Sequence, residues 1–532
     1  MPDWLKDAVF YEIYPQSFYD SNGDGIGDIN GITEKLDYVQ SLGCNAVWLN
    51  PCYDSPFMDA GYDVRDYKKV APRYGTNEDL KHCFAEAHKR GMHLLLDLVP
   101  GHTSDQHAWF KESQKAQRNE YSGRYIWTDS VWNRPNDFGS MCGVTERDGC
   151  YLLNFFSSQP ALNYGFNKIT APWQMHYTRP ECAATREAMK DIMRFWLDMG
   201  CDGFRVDMAE SLVKNDDDRT ATCELWRDVR AMLDKEYPEA AIVSEWSDPK
   251  RAVVKAGFHM DFLLDHPGGG YHSLFRETRS DGGDRSFFSK QGKGNIMKFL
   301  DDYLPQYNAS KDYGYISLIT CNHDTPRMTK SFDETECKLA YAFIFTMPGV
   351  PFLYYGDEIG MQYYDLTSVE GGYQRTGTRT PMQWTNGKND GFSQADEKEL
   401  YLPVDNRSGA PSVEKEEKDG RSLFNTVRGV IALRHKYPDL QSVANIDVIY
   451  AEKNKYPFVF RRGNFVIAVN PSWQRVSIPL LWSGDSVFAI GKSTLQNGVL
   501  SMDGQSFNIY KGAPIESISD GLLEKRNIIP AT

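Results

Sequence analysis

Several things are missing from this sequence of 532 residues. None of its ten cysteines forms a CxxC pair, which removes the usual ligand spacing of a structural zinc site or a thioredoxin-type redox centre. No apolar run reaches the roughly 20 residues that a membrane span needs. After Met1-Pro-Asp-Trp4 the chain soon enters Ala8-Val-Phe-Tyr-Glu-Ile-Tyr14, so no signal peptide is expected. No basic run offsets the net charge of -14, which argues against nucleic acid and against a membrane as partners. Internal repeats and low-complexity tracts are lacking as well. These absences lead us to expect a cytoplasmic protein with reduced thiols, and they leave its oligomeric state open.

What is present is an ordinary globular balance, 41% apolar and 25% charged, with a rich 13% of aromatics. Aromatic faces suit sugar rings, and they also suit a large core. Cys44, Cys201 and Cys321 lie in or beside predicted strands and read as small core residues. Cys142 and Cys150 are spaced so that they could pair across a loop.

Strand and helix signals alternate from the start. Predicted strands are Val9–Tyr14, Ala46–Leu49, His93–Val99, Cys201–Asp207, Ala241–Glu245, Met260–Asp265, Ser317–Asp324 and Val350–Gly356. Helical spacing marks 32–42, 77–89 (with Asn77 as cap), 185–200, 226–237, 337–345 and 423–435. The rhythm fails between 104 and 171, where Trp, Tyr, Asn, Gly and Pro dominate. After Tyr437-Pro438 short alternating segments with turn signals replace it. The expected fold is α/β: a (β/α)8 TIM barrel over 1–103 and 172–440, an irregular insertion after strand three (104–171), and a C-terminal antiparallel β-sandwich (441–532).

Three acids, Asp207, Glu245 and Asp324, each close an apolar run. In such a barrel the catalytic groups sit at the C-terminal ends of the strands. Cleaving a sugar acetal needs an acid for the leaving oxygen and an anion for the cation-like carbon. Alternate strand residues face the same way, so Arg205 should accompany Asp207 and hold it ionised, which suits a nucleophile. Trp246 is an apolar neighbour for Glu245, which suits a proton donor. For each acid taken singly, a salt-bridged barrel residue is an equal reading. Three at strand ends, with Arg205 and His323 attached, weigh against it.

The chain resembles the α-amylase superfamily of retaining glycoside hydrolases (glycoside hydrolase family 13), most closely its oligo-1,6-glucosidase and α-glucosidase branch. The resemblance rests on Asp97-Leu-Val-Pro-Gly-His102-Thr-Ser, Gly203-Phe-Arg205-Val-Asp207, Ser244-Glu245-Trp, Asn322-His323-Asp324, Ala60-Gly-Tyr62-Asp63 and Arg379-Thr-Pro-Met-Gln-Trp384, and it runs from residue 8 to about 440. It implies that Asp207 is the nucleophile, Glu245 the general acid/base and Asp324 the transition-state stabiliser. It also implies that His102, His323, Arg205 and Asp63 line the subsite of the non-reducing glucose, that Tyr62 stacks on that glucose, and that Arg375 pairs Asp63 to close the pocket and enforce exo action.

Asp20-Ser-Asn22-Gly-Asp24-Gly-Ile26-Gly-Asp28 places oxygens as the first part of an EF-hand loop does, the Ile26 carbonyl included, but Gly31 stands where the closing Glu would be. Such a loop can hold a hard cation, or it can be a solvated acidic turn. The resemblance implies a structural Ca2+ or Mg2+ there and no organic cofactor. Two stretches depart from the family's pattern. Gln159-Pro-Ala161-Leu-Asn163 lacks an acid, and Met208-Ala209-Glu210 matches neither the α-1,6- nor the α-1,4-preferring form, which leaves linkage preference open. Glu210 can meet aglycone hydroxyls or solvent. Gly268-Gly-Gly270 lacks the strand-to-helix setting of a phosphate loop.

The leading expectation is an exo-acting α-glucosidase on short isomalto- or malto-oligosaccharides or sucrose-like disaccharides. The alternative is a transglucosylase or sugar isomerase using the same acids. A non-catalytic, transporter-associated relative would lack the acids and carry a membrane anchor.

Overall fold

The computed structural model describes residues 1–278, 282–367 and 375–515. They divide into two compact units. The first comprises Met1–Leu264, Gln306–Arg327 and Val350–Gly420, and the second Asp265–Pro305, Met328–Gly349 and Arg421 onward.

The first unit is built on eight parallel strands: β1 (Phe10–Ile13), β2 (Ala46–Leu49), β3 (His93–Leu98), β4 (Gly203–Val206), β5 (Ala241–Ser244), β6 (Met260–Phe262), β7 (Tyr315–Ser317) and β8 (Phe352–Tyr354). Each pairs with the next in sequence from β1 to β7, and β8 returns to β1. A bridge between Ile319 and Phe352 brings β7 to β8, with Phe352 N–H donating to Leu318 O at 2.9 Å. The strands are continuously buried, as parallel strands covered on both faces must be. Gly203 opens β4 because a Cβ there would sit 1.8 Å from the carbonyl oxygen of Ala241 on β5. Helices Pro180–Asp198 and Thr220–Glu236 precede β4 and β5, each burying one apolar face.

Several expected boundaries move. The helix expected over 32–42 is two short ones, Ile29–Glu34 and Leu36–Ser41. Thr76, not Asn77, caps helix Asn77–Lys89, in a capping box with Asp79. The strand expected to run on to Asp324 ends at Ser317, and Asp324 sits in the following turn, where Asn322 Oδ1 accepts its N–H at 2.9 Å.

Segment 104–171 belongs to the first unit. It holds a short helix, Ala108–Ser113, a hairpin of Ser140–Cys142 and Cys150–Leu152, and a small core of Ile126, Leu152, Ala161 and Phe166. Cys142 and Cys150 are register partners in that hairpin and are disulfide-bonded.

In the second unit, helices Glu334–Thr346 and Leu423–Lys436 accompany two antiparallel sheets. One has five strands, in the order Asp447–Tyr450, Phe458–Arg462, Phe465–Asn470, Ser506–Pro514, Trp482–Ile490. The other has three: Val476–Pro479, Val499–Met502, Ser493–Gln496. Val459, Val466, Ala468, Leu500 and Met502 pack between them as a sandwich core. No helix among the described residues is long and apolar enough to cross a membrane.

Candidate active site

Parallel register assembles the site. Val206 on β4 faces Ser244 on β5, so the next residues, Asp207 and Glu245, leave adjacent strands side by side. Neighbouring strands run about 4.8 Å apart. That spacing suits the roughly 5 to 5.5 Å between carboxyls of a retaining glycosidase. The ladder continues past the strand ends, with Glu245 N–H donating to Val206 O at 3.0 Å and Asp207 N–H to Leu98 O at 2.8 Å. Asp207 is 8% exposed and the Glu245 side chain 21%, so both reach the barrel mouth.

Arg205 joins them. Its Nη1 lies 3.0 Å from Asp207 Oδ1 and 3.0 Å from Asp97 Oδ1, and its Nη2 lies 2.9 Å from Glu245 Oε2. The guanidinium rests over Trp48, 5.1 Å from the ring centre. One cation is therefore divided among three carboxyls, which changes the expected charge balance. Burial and the neighbouring Glu245 push Asp207 well above the usual carboxylate range, with Arg205 pulling against both. A proton on Glu245 would remove its share of that repulsion and let Arg205 favour the Asp207 anion. The apolar surroundings expected for Glu245 from Trp246 are replaced by polar ones, since Oε2 also accepts the Met208 N–H at 2.9 Å.

The third acid sits in a cage of cations. Asp324 Oδ1 meets Arg375 Nη1 at 2.7 Å and Arg379 Nη2 at 2.8 Å, and Oδ2 meets His323 Nε2 at 3.2 Å. Burial opposes its charge, but His323, Arg375 and Arg379 outweigh burial and hold its carboxyl well below the usual range. His323 is fully buried, which disfavours its charge, yet Asp324 and Glu12 hold it up to about 9. As an imidazolium it donates from Nδ1 to Glu12 at 2.9 Å and from Nε2 to the Tyr62 hydroxyl at 2.7 Å.

Three expected sugar ligands, Asp63, His102 and Tyr62, are engaged with protein groups. Arg375 pairs with Asp59, not with Asp63. The Asp63 carboxyl is taken up by its own turn, accepting from Met58 N–H at 2.8 Å, Asp59 N–H at 3.0 Å and Ser55 Oγ at 3.0 Å, and burial pushes it up to about 6. Asp59 is also held by Gln159 Nε2 at 2.8 Å. His102 spends both ring nitrogens on protein, one on the Tyr62 carbonyl at 3.1 Å and the other on Asn154 Nδ2 at 3.0 Å, and burial lowers it to about 4. Tyr62 stacks on His323 at 5.3 Å, donates to Asp97 at 3.0 Å and is only 5% exposed, which leaves little ring for a sugar in this state.

Sequence reasoning missed Asp59, Glu12 and Asn154 as site residues. The acid three positions before Tyr62 was as visible as the one after it. What separates them is a turn with Phe57 at φ 59, Ala60 at φ 52 and Gly61 at φ 100.

The loop after β1 folds onto itself. Asp20 accepts from the N–H groups of Asn22, Gly23 and Gly25 and from Ser393 Oγ. Asn22 Oδ1 accepts Asp24 N–H, and Asp24 Oδ1 accepts Ile26 N–H. Asp28 accepts from Ser21 and caps the next helix at Gly31 N–H. No group of three or more His, Cys, Asp or Glu among the described residues is gathered so as to hold a metal ion. Glu210 is half-buried in the turn Ala209–Ser211, just past Met208, whose backbone is left-handed at φ 42.

A closed parallel barrel with these acids at adjacent strand ends defines a glycosidase-type site. Residues 12–442 match the family model for the α-amylase catalytic domain, and the chain belongs to that family. It is 34% identical over 476 residues to the trehalose synthase/amylase TreS of Mycolicibacterium smegmatis, covering 82% of this chain and 77% of the relative. It is 33% identical over 543 residues to an oligo-1,6-glucosidase of Heyndrickxia coagulans, covering 90% and 94%. Among solved structures, the trehalulose synthase MutB of Pseudomonas mesoacidophila MX-45 superposes with a TM-score of 0.80 at 26% identity, covering 96% of this chain and all of that one (100%). An isomaltulose synthase variant of Erwinia rhapontici NX5 in complex with its natural substrate sucrose gives 0.79 at 27%, covering 97% and 100%. Family and site together support glycosidase or sugar-isomerase chemistry on small sugars.

Proposed function

We propose that this protein is a retaining, exo-acting α-glucosidase on short α-glucosides. The observation that carries the reading is the β4–β5 register, which sets Asp207 beside Glu245 with Arg205 across both. Asp207 attacks the anomeric carbon as Glu245 protonates the leaving oxygen, giving a glucosyl–Asp207 ester. Water that yields its proton to Glu245 then attacks the ester, frees Asp207 and releases glucose with its α configuration retained. Asp324, held anionic, accepts hydrogen bonds from ring hydroxyls as positive charge develops. The Arg375 link between Asp59 and Asp324 supports exo action, because it walls the pocket beside the stabilising acid.

A second reading is isomerisation or transglucosylation, favoured by the TreS, MutB and isomaltulose synthase relatives. It uses the same two steps, with a sugar hydroxyl in place of water. The deciding experiment is a panel of isomaltose, maltose, sucrose, trehalose and nigerose with products resolved over time. Free glucose as the first and main product is expected. A new disaccharide appearing first would replace hydrolysis by the second reading, and no turnover of any member would remove both.

We also propose that the Asp20–Asp28 loop takes a structural Ca2+ or Mg2+. Hard oxygens at Asn22, Asp24 and the Ile26 carbonyl keep lone pairs beyond their backbone bonds. Chelation should then lower Tm by several degrees and Ca2+ should restore it. An unchanged Tm would leave a solvated acidic turn.

A further inference from the structure

Both catalytic carboxyls are followed closely by a residue with left-handed backbone: Met208 (φ 42) directly after Asp207, and Ser247 (φ 63) two residues after Glu245. Neither is glycine, so each conformation must be imposed by surrounding bonds. At Ser247 the source is visible. Asp261, in the middle of β6, is fully buried, and none of the sequence motifs includes it. It is the register partner of Ser244. Its Oδ1 accepts from Ser244 Oγ at 2.6 Å and from Ser247 N–H at 3.3 Å, and its Oδ2 accepts from Asp248 N–H at 2.8 Å. Ser247 Oγ in turn accepts Leu264 N–H at 3.0 Å, past the end of β6. The carboxyl thus grips the chain one residue before Glu245 and again two and three residues after it.

We propose that Asp261 is a positioning residue for the general acid/base: it fixes the turn that aims Glu245 at the leaving-group oxygen. The inference rests on the roles given to Asp207 and Glu245 above. Asp97, Asp207 and Asp324 at the mouth pair with arginine or histidine. Asp261, like Asp63, instead accepts two backbone N–H groups and one hydroxyl, which is the work of a brace rather than of a charge partner. Burial raises its carboxyl to about 8 even against the downward pull of these three donors. Asparagine has nearly the same shape, but its amide NH2 would confront an N–H donor and lose part of the grip.

The test separates acid catalysis from nucleophilic attack. α-Glucosyl fluoride leaves without needing a proton, whereas a disaccharide needs one. In Asp261→Asn, kcat on the best disaccharide should fall about 10- to 100-fold, a fraction of what a general acid contributes, with KM little changed and the alkaline limb of the pH–rate profile displaced. For α-glucosyl fluoride, kcat/KM, which reports ester formation and not the later water-activating step that also uses Glu245, should stay within about 3-fold. Ser244→Ala removes one of the three bonds with less risk to folding and should give the same leaving-group dependence, smaller in size. Equal losses on both substrates, or none on either, in variants with wild-type Tm would overturn the role of Asp261. Were Asp261→Asn not to fold, Ser244→Ala alone would decide in the same way. A wild-type enzyme inactive on both substrates would instead strike at the glucosidase reading itself.

Discussion

Asp207→Ala should lower kcat on every α-glucoside by about 10^4-fold or more, equivalent to about 5 kcal/mol of transition-state stabilisation. Folding should be intact, because the substitution removes a charge that its setting already disfavours. Burial and Glu245 both act against the Asp207 anion, and Arg205 keeps Asp97 and Glu245 as partners when Asp207 is gone. The vacated space opens towards the barrel mouth, so a small anion such as azide can enter it. Azide would attack the anomeric carbon from the side Asp207 occupied, in one displacement. The product should therefore be the β-glucosyl azide, with inverted configuration, and turnover of an activated substrate should partly recover. NMR of that product, beside Tm and kcat, checks the assignment. An Asp207→Ala enzyme with activity near the wild type would refute the nucleophile, whatever the sugar.

Arg205→Met should cost both stability and activity. The residue is 1% exposed and its side chain is shared by Asp97, Asp207 and Glu245. Removing one partner from a buried charge cluster typically destabilises by about 3 to 5 kcal/mol, because the partners stay buried without compensation. Arg205→Lys should recover little, since one ammonium cannot bridge three carboxyls as a planar guanidinium does. The pH dependence has a definite sign. Burial already raises Asp97 and Asp207, and loss of the cation raises them further. The folded variant then binds protons that the unfolded chain releases. Its deficit against the wild type should shrink as pH falls from 7 to 5 and grow as pH rises. Urea unfolding across that range measures it. A deficit that does not change with pH would mean that Arg205 acts by packing on Trp48 rather than as the shared cation.

The alternation of apolar runs and helical spacing was enough to read the barrel, because each unit must bury a strand on both faces and a helix on one. The C-terminal sheets were legible for a related reason: short alternating segments have one face to hide. Boundaries were less legible. Ser317 to Asn322 looks like one strand, but after Ser317 the chain turns from β6 towards β8 at Ile319. That choice belongs to barrel closure and leaves no local mark.

The three acids could be singled out from the sequence because each closes an apolar run inside a family motif, with Arg205 and His323 attached, although Asp324 proves to lie in the turn beyond its strand. Their neighbours could not. Asp59 and Asp63 flank the same Gly61-Tyr62 pair with the same chemistry, and only the turn's positive φ angles send one to Arg375 and the other back to its own backbone. Asp261 carries no sequence signal at all, since a lone acid in an apolar strand acquires its meaning only when Ser244 and Asp248 are brought across from β5. By itself the sequence determined the periodicities, and hence the architecture, and which side chains are able to do acid–base chemistry. Tertiary structure alone decided which of them share a cation and which brace a turn, because most of those contacts join residues far apart in the chain, such as Ser244 with Asp261 and Asp59 with Arg375, and are set by strand register and loop packing rather than by neighbourhood along the chain.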